Sequence, residues 1–263
     1  MPNTTATTPV TVYLVTGANR GIGLSISTIL ARRESTLVFA TAREPAKADA
    51  LNALAKETGR VEVVKYESAN EEDTKSLAQV IEEKAGKVDV VIANADSSCV
   101  QTGCYSILKT THQDLTQSFE VNAVGPVLLF QALYPLLVKS SAPQFAVVSS
   151  ILASIGLAFP FESEAYGISK AAVNYAVKRI ALYHGQKDRI VACTLHPGAV
   201  ASDMGLSATA SMAATNPDFK FSADMLISPE QSANSIVGIV DNAILEKTGG
   251  KFWDATTGDE IPW

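Results

Sequence analysis

Charged side chains are scarce in this sequence of 263 residues, at 18% of the total, and the net charge is −6. The basic residues are scattered rather than clustered, which argues against a nucleic-acid surface and favours a small-molecule partner. Hydrophobic residues make up 47% of the chain. This composition argues against a disordered chain and supplies enough apolar material for a sheet that is buried on both faces.

Residues with metal or disulfide chemistry are also few. The three cysteines are Cys99, Cys104 and Cys193, and the three histidines are His112, His184 and His196. The cysteines cannot all pair within one chain, and none lies in a CxxC pair or beside histidines at ligand spacing. We therefore predict reduced thiols in a cytoplasmic protein, no metal site, and ordinary structural or surface roles for the histidines.

Long apolar runs are absent as well. The most apolar stretch, residues 124–138, is too short to span a bilayer and is interrupted by Gln131 and Pro135. The first ten residues, MPNTTATTPV, lack the basic start and the apolar core of a signal peptide. The sequence therefore predicts no association with a membrane.

What the chain does contain is a regular alternation of strand and helix patterns, without a linker or an internal repeat. Predicted strands cover residues 10–15, 37–42, 61–66, 88–93, 145–149, 189–195 and 251–254. Predicted helices cover residues 21–33, 46–57, 71–85, 113–139, 163–184 and 228–247. Because this alternation implies parallel strands joined by crossovers, we expect one α/β domain over residues 1–263. Its doubly wound sheet has seven parallel strands and helices on both faces.

A glycine-rich turn, TGANRGIG at residues 16–23, follows the first predicted strand. In a Rossmann fold such a turn holds the pyrophosphate of a dinucleotide, because glycines let the backbone approach phosphate and the helix N-terminus supplies donors. The helix that follows has apolar residues on one face, Ile22, Ile26, Ile29 and Leu30. The alternative is a turn that needs glycine only for its backbone angles.

Tyr166 and Lys170 lie four residues apart on a predicted helix, so that both project from the same face. An ammonium near a phenol stabilises the phenolate and lowers the phenol's pKa, which lets the pair act as a general acid and base. The alternative is two ordinary helix neighbours. The preceding glycine turn and parallel strands favour the catalytic interpretation.

Taken in order, these motifs resemble those of the short-chain dehydrogenase/reductase family, and within it the fungal ketoreductases of the norsolorinic acid reductase type. The resemblance spans nearly the whole chain. The matching segments are TGANRGIG (16–23), IANA (92–95), VNAVGPVLLFQALYPLL (121–137), VVSSILASIG (147–156), AYGISKAAVNY (165–175), HPGAVASDMG (196–205) and the terminal EIPW.

The resemblance implies a catalytic tetrad. Tyr166 would protonate the substrate oxygen, and Lys170 would lower the pKa of Tyr166 and hold the nicotinamide ribose. Ser150 would hydrogen-bond the same substrate oxygen and stabilise developing negative charge. Asn122 would hold a water in a proton relay to Lys170. Local structural roles for Ser150 and Asn122, as a strand-end serine and a helix-capping or kink residue, are the alternatives.

We expect the cofactor to be NADP(H). An NAD enzyme commonly has an acid at the end of the second strand that binds the ribose 2′-hydroxyl, whereas the 2′-phosphate of NADP needs positive charge. Here Ala42 stands at the position of that acid and Arg43 follows it. Arg20, in the glycine turn, is a second cation. The full set of expected cofactor contacts is Thr16, Gly17, Asn19, Arg20, Gly21, Ile22, Gly23, Arg43, Glu67, Ser68, Asn94, Ala95, Tyr166, Lys170, Pro197, Gly198, Val200 and Ser202.

Three positions depart from the family pattern. Asp96 replaces a usual glycine, and it either attracts a cationic substrate such as an iminium or faces solvent. Glu67 stands where an aspartate usually reads the adenine. Ser150 lies sixteen residues before Tyr166, a wide spacing that leaves Ser154 as an alternative substrate-binding serine.

These observations predict an NADPH-dependent reductase of a ketone on a bulky polycyclic or aromatic secondary metabolite. The alternatives are an imine reductase of an alkaloid pathway, with or without assistance to a later cyclisation, and an NADP(H) sensor without turnover. Residues 201–227 are small or polar and predict either a substrate lid or a poorly ordered surface loop. The resemblance implies a homodimer or homotetramer formed through the helices that start near Gln113 and Ser163.

Overall fold

The computed structural model describes residues 10–97, 105–159, 162–203, 205–206 and 225–263. Within them lies a sheet of seven parallel strands in the order β3-β2-β1-β4-β5-β6-β7. The strands are β1 Thr11–Val15, β2 Thr36–Ala42, β3 Val61–Lys65, β4 Val90–Ala93, β5 Gln144–Val148, β6 Val191–His196 and β7 Phe252–Asp254. The predicted doubly wound sheet is therefore confirmed.

Helices cover both faces of the sheet. They are α1 Gly21–Ala31, α2 Asp49–Thr58, α3 Glu71–Ala85, α4 His112–Phe119, α5 Gly125–Leu137, α6 Glu164–Asp188, α7 Pro229–Asp241 and α8 Leu245–Thr248. One face packs α1, α2 and α7 in a buried cluster that includes Ile26, Leu51 and Ile236. The other face packs α3, α5 and α6 in a cluster that includes Leu77 and Leu133.

Capping explains several helix ends. Ser228 and Gln231 form the two hydrogen bonds of a capping box, with Pro229 in the first turn, so that α7 begins where the sequence predicts. Gly59 ends α2 with a positive φ of 63°, a conformation that favours glycine. The predicted helix 228–247 is wrong in its extent, because α7 ends at Asp241 and the separate short helix α8 follows.

The predicted long helix 113–139 is interrupted by a single π turn, Glu120–Val124, between α4 and α5. The helical segment of 26 residues from His112 to Leu137 is long and apolar enough, by length and composition alone, to cross a membrane. That finding differs from the expectation that the most apolar stretch, residues 124–138, is too short to span a bilayer. Half of the apolar window is buried in the fold, and Leu129, Leu133 and Leu136 pack against the sheet, which accounts for the apolar character.

Strand order changes direction between β1 and β4, because the chain moves outward from β1 to β3 and then returns to pair β4 with the other side of β1. In open parallel sheets, ligands bind in the crevice at the carboxyl ends of the strands beside such a switch point. This edge is where the chemistry-bearing residues of the sequence lie. Most of the predicted lid, residues 204 and 207–224, falls outside the described residues, as do Cys99 and Cys104.

Candidate active site

The carboxyl ends of neighbouring strands bring the predicted catalytic residues together. Asp96 follows β4, Ser150 follows β5, and the first turns of α6 carry Tyr166 and Lys170. Lys170 is held on the sheet by a hydrogen bond from its Nζ to the Val148 carbonyl, at 2.9 Å. This ammonium is almost fully buried, with only 2% of its side chain exposed.

Asp96 lies inside this cluster and not in solvent. Its Oδ2 accepts a hydrogen bond from the Tyr166 hydroxyl at 3.1 Å, and its Oδ1 lies 3.3 Å from Lys170 Nζ. Of the two alternatives for Asp96, the one in which it faces solvent is therefore wrong. Tyr166, Lys170 and Asp96 form one buried group in which the carboxylate balances the charge of the ammonium.

This arrangement also corrects the expected pKa of Tyr166. Burial raises that pKa well above its ordinary value of 10, and the Asp96 charge and hydrogen bond raise it further, while a hydrogen bond with Ser150 lowers it. Burial likewise raises the pKa of Asp96, against the lowering effect of Lys170. The sequence predicted a lowered pKa for Tyr166 because it revealed neither the burial of the phenol, which is the largest cause of the shift, nor its contact with Asp96.

Asn122 lies buried within the π turn, with its carboxamide fully engaged. The Nδ2 donates to the Ser97 carbonyl and to Ser169 Oγ, both at 3.0 Å, and the Oδ1 accepts from the Ser97 backbone N–H at 2.9 Å. An α-helical donor to the Asn122 carbonyl would be the N–H of residue 126, which is proline and has none. The π turn thus fixes Asn122 beneath the site. Single π turns within helices are frequent at functional sites.

Three serines after β5 have different partners. Ser150 Oγ accepts from the Leu152 backbone N–H at 3.2 Å and hydrogen-bonds Tyr166. Buried Ser149 donates its hydroxyl to Asn174 Oδ1 at 2.7 Å. Ser154 donates to the Pro262 carbonyl at 2.6 Å and accepts from the Leu157 N–H. Ser150 is therefore the serine that joins Tyr166, and the alternative assignment of Ser154 as the substrate serine lacks structural support.

His196 has a structural role, as predicted for the histidines, but the sequence did not show that this role lies at the site. Its Nδ1 accepts from the Ile151 backbone N–H at 3.2 Å, and so fixes the short 3-10 turn Ile151–Ala153 directly after Ser150. Burial lowers the pKa of His196 to about 4, although Asp254 opposes the shift. The sequence signal was the placement of a histidine at the carboxyl end of β6, in front of Pro197 and Gly198.

The glycine turn fits a dinucleotide pyrophosphate. Helix α1 begins without a side-chain cap or an acid in its first turn, which leaves its N–H groups and positive dipole to a ligand. A Cβ on Gly21 would point into open space, whereas a Cβ on Gly23 would meet the Gly17 carbonyl at 2.3 Å. Asn94 Nδ2 ties β4 to this turn through the carbonyls of Thr16 and Gly17, at 3.0 and 3.2 Å.

The two arginines expected near a 2′-phosphate differ in their surroundings. Arg43 follows β2 and is exposed, and it makes no ion pair with the residues that the structure describes. Arg20 forms an ion pair with Asp203 at the start of the predicted lid, and both side chains are exposed. Arg43 is thus available to a phosphate, while Arg20 would first have to leave Asp203.

The remaining expected cofactor residues line the same edge with contacts of their own. Ser68 Oγ donates to the Val121 carbonyl at 2.8 Å, and the Glu67 N–H donates to Asp73 Oδ2 at 3.0 Å. After β6, Val200 pairs with Ile227 in an isolated parallel bridge. The role of every expected cofactor residue stays a prediction, including those of Asn19, Ile22, Ala95, Pro197, Gly198 and Ser202. In the described part of the chain, no group of three acidic, histidine or cysteine side chains could hold a metal ion.

Comparison with known proteins identifies the family. The model of the short chain dehydrogenase family matches residues 11–213, more than half of the chain. The chain belongs to the short-chain dehydrogenase family. Members of this family are oxidoreductases whose fold binds a nicotinamide cofactor, and the present protein is such an oxidoreductase.

Relatives and solved structures agree with this family over nearly the full chain. An oxidoreductase of Schizosaccharomyces pombe is 34% identical over 248 residues, 94% of this chain and 96% of the relative. The short chain dehydrogenase gsfK of Penicillium aethiopicum is 36% identical over 264 residues, 97% of this chain and 100% of the relative. The NADPH-bound carbonyl reductase from chicken fatty liver superposes with a TM-score of 0.84 at 26% identity, covering 97% of this chain and 100% of that one.

Proposed function

We propose that this short-chain dehydrogenase reduces the carbonyl group of a bulky apolar molecule with NADPH. The observation that carries this proposal is the cluster of partly exposed Tyr166 and Ser150 with buried Lys170 at the carboxyl edge of the sheet, beside a glycine turn suited to a dinucleotide. NADPH supplies a hydride when it is bound. Similarity to the NADPH-bound chicken carbonyl reductase supports the same chemistry.

The chain's own residues would handle the oxygen of the carbonyl group. Tyr166 is a protonated phenol in this site, and so it can give its proton to the oxygen as negative charge develops there. Ser150 Oγ, hydrogen-bonded to Tyr166, can donate to the same oxygen and stabilise that charge. Lys170 stays in place through the Val148 carbonyl and can contact the ribose that lies beside a nicotinamide.

The preference for NADPH rests on the end of β2. Ala42 offers no carboxylate to bind a ribose 2′-hydroxyl, and the exposed guanidinium of Arg43 is free to contact a 2′-phosphate. A carboxylate there would bind the hydroxyl of NADH and repel the phosphate. We therefore expect the protein to oxidise NADPH more efficiently than NADH.

The substrate class follows from exposed apolar side chains around the catalytic cluster. The loop before α4 and the segment after Ser150 expose large hydrophobic residues, Tyr105, Ile107, Leu108, Ile155, Leu157 and Phe159. Glu164 Oε1 accepts from the Ile107 N–H at 3.0 Å and so holds the first loop against the start of α6, two residues before Tyr166. Apolar side chains in this position favour a polycyclic or aromatic ketone, as in secondary metabolism, over a small polar one.

The two alternative functions are less well supported. Asp96 would attract an iminium only with uncompensated negative charge, and Lys170 lies 3.3 Å away and balances that charge. A sensor that binds NADP(H) without turnover would have no need for the hydrogen-bonded pair of Ser150 and Tyr166 at the cofactor edge. We also propose that the protein is cytoplasmic and assembles as a homodimer or homotetramer.

The test is consumption of NADPH, and of NADH in parallel, with a panel of aromatic ketones and cyclic imines. Tyr166→Phe removes the proton donor and is expected to lower ketone turnover by about two or more orders of magnitude. Ser150→Ala is expected to lower it too, whereas the matched control Ser149→Ala affects stability through Asn174 and not the reacting oxygen. Turnover of imines alone, unchanged in Tyr166→Phe, would overturn the carbonyl proposal.

A further inference from the structure

Asp96 is a buried carboxylate for which the proposed reaction has no use. It contacts the two groups on which the proposed reaction depends, at 3.1 Å from the Tyr166 hydroxyl and 3.3 Å from the Lys170 ammonium. Only 13% of its side chain is exposed. A carboxylate held this way without function would be a costly burial of charge, so its contacts call for an explanation.

The first contact concerns the Tyr166 proton. A phenol has one hydrogen, and in this structure that hydrogen points to Asp96 Oδ2. If Tyr166 ionised, the hydrogen bond would be lost and two negative oxygens would lie about 3 Å apart in a buried site, where repulsion between like charges is strong. Asp96 thus opposes removal of the proton from Tyr166.

The second contact concerns Lys170. An ammonium beside a tyrosine favours the phenolate. Here the negative charge of Asp96 lies 3.3 Å from the Lys170 ammonium and offsets this effect. Other titratable groups near Tyr166 are Glu164, on the same helix, and His196, beyond Ser150. Burial keeps the pKa of His196 at about 4, and so His196 is neutral near pH 7 and does not favour the phenolate either.

We propose that Asp96 is a positioning residue that keeps the Tyr166 hydroxyl protonated, by accepting its hydrogen bond and by pairing with Lys170, so that the site gives protons rather than takes them. The proposal rests on the carbonyl reduction proposed above. Reduction needs Tyr166 as a phenol that donates a proton to the new alkoxide. The reverse reaction needs Tyr166 as a phenolate that accepts the hydroxyl proton of the alcohol, and Asp96 suppresses that form.

The decisive measurement is the pH at which Tyr166 ionises in the cofactor-free protein. Tyrosine labelled with carbon-13 at Cζ gives separate NMR signals, and Tyr166→Phe identifies the one from Tyr166. In the wild type this signal is expected to stay that of a phenol beyond pH 10. In Asp96→Asn and Asp96→Gly the pH of Tyr166 ionisation is expected to fall by about one pH unit or more. The control is Glu83→Gln, which changes the net charge equally at an exposed position of α3 and is expected to leave that pH unchanged.

Kinetics provide the second readout. In the pH profile of kcat for alcohol oxidation, the rise in kcat with increasing pH is expected to lie about one pH unit or more lower in Asp96→Asn and Asp96→Gly than in the wild type and Glu83→Gln. A Tyr166 signal that ionises below pH 9 in the wild type, or at the same pH in folded Asp96 variants, would overturn the inference. Where the variants do not fold, a wild-type signal that ionises below pH 9 still overturns the inference.

The two proposals fail differently. If Asp96 variants shift the Tyr166 titration while no carbonyl compound is reduced, the proposed substrate class is wrong and the role of Asp96 stands. If ketones are reduced by way of Tyr166 and the titration does not move, carbonyl reduction stands and Asp96 has only a structural role.

Discussion

Individual residues at the carboxyl edge serve the site by fixing the backbone as well as by facing a substrate. His196 does so through one hydrogen bond to the Ile151 N–H, which orders the turn after Ser150. It can accept that bond only while Nδ1 is unprotonated. Because burial lowers the pKa of His196 to about 4 from an ordinary 6.5, the folded protein keeps the neutral ring at pH values where an unfolded chain binds a proton.

This difference predicts a pH dependence of stability. Between about pH 6.5 and pH 4 the unfolded state holds a proton on residue 196 that the folded state lacks, so the free energy of unfolding is expected to fall as the pH falls. The slope from this residue is at most about 1.4 kcal/mol per pH unit. Urea unfolding at several pH values measures it.

The matched variant is His196→Asn, because an amide oxygen can accept from the Ile151 N–H and does not titrate. The variant is expected to lose less stability on acidification than the wild type. Equal losses in the two proteins over this pH range would contradict the assignment of the effect to His196.

One contact between individual residues of the site could not be predicted from the sequence. The pairing of Tyr166 with Lys170 follows from a spacing of four on one helix, and Asp96 was visible as a departure from a glycine. Their contact was not visible, because Asp96 and Tyr166 are 70 residues apart and meet only where α6 packs on the face that β4 and β5 share. The expected lowering of the Tyr166 pKa was wrong because burial of the phenol, and after it the contact with Asp96, raises that pKa.

Among the elements, the π turn between α4 and α5 depends on contacts from outside the helix. In an α-helix the Gly125 N–H would donate to the Val121 carbonyl, but in the π turn it donates to the Glu120 carbonyl. Ser68 Oγ donates to the Val121 carbonyl in its place. Gly125 leaves room for this contact, since a Cβ there would lie 1.9 Å from Ser68 Oγ and 3.0 Å from the Ala69 N–H nitrogen.

Gly125→Ala is therefore expected to displace Ser68 and to destabilise the protein by about 1–3 kcal/mol, through overpacking and a lost hydrogen bond. Thermal unfolding measures this change. Gly238→Ala is the control, because a Cβ at that position in α7 meets no atom within 4 Å and should stabilise the helix by roughly 0.5–1 kcal/mol. The double variant Gly125→Ala with Ser68→Gly should recover part of the loss; no recovery would contradict the clash.

Elements were largely predictable because most strands are runs of buried apolar residues and most helices bury an apolar face, although the edge strand β3 is only partly buried. The residues at which the elements begin and end were less predictable. The predicted helix 46–57 begins three residues later, at Asp49, because the 3-10 turn Pro45–Lys47 precedes it. The π turn had no sequence prediction, since it depends on Ser68, which lies more than fifty residues before Val121.

On the scale of the whole molecule, one surface remains apolar without a described partner. Helix α6 exposes Ile168, Tyr175 and Leu182 at intervals of seven residues, so these side chains lie along one face, and Phe119 at the end of α4 is exposed beside it. This is the surface that the sequence predicted for oligomer formation. A stable interface there needs to bury about 800 Å² on each subunit.

We expect light scattering to show a dimer or tetramer of the wild type and a smaller species for the double variant Tyr175→Glu with Leu182→Glu. Ile244→Glu, which changes an exposed apolar residue outside this helix face, serves as the control and should leave the assembly intact. A monomeric wild type at micromolar concentration would contradict the prediction.

The order of the strands also bears on how the chain is made. β1 lies between β2 and β4, yet β4 begins only at Val90. A nascent chain whose emerged part ends within α3 can pair β1 with β2 and β2 with β3, but the other edge of β1 offers unpaired N–H and carbonyl groups to any neighbouring chain. Stalled chains of this length are therefore expected to be captured by chaperones more strongly than chains that extend past β5, which ribosome pull-down at the two lengths would measure.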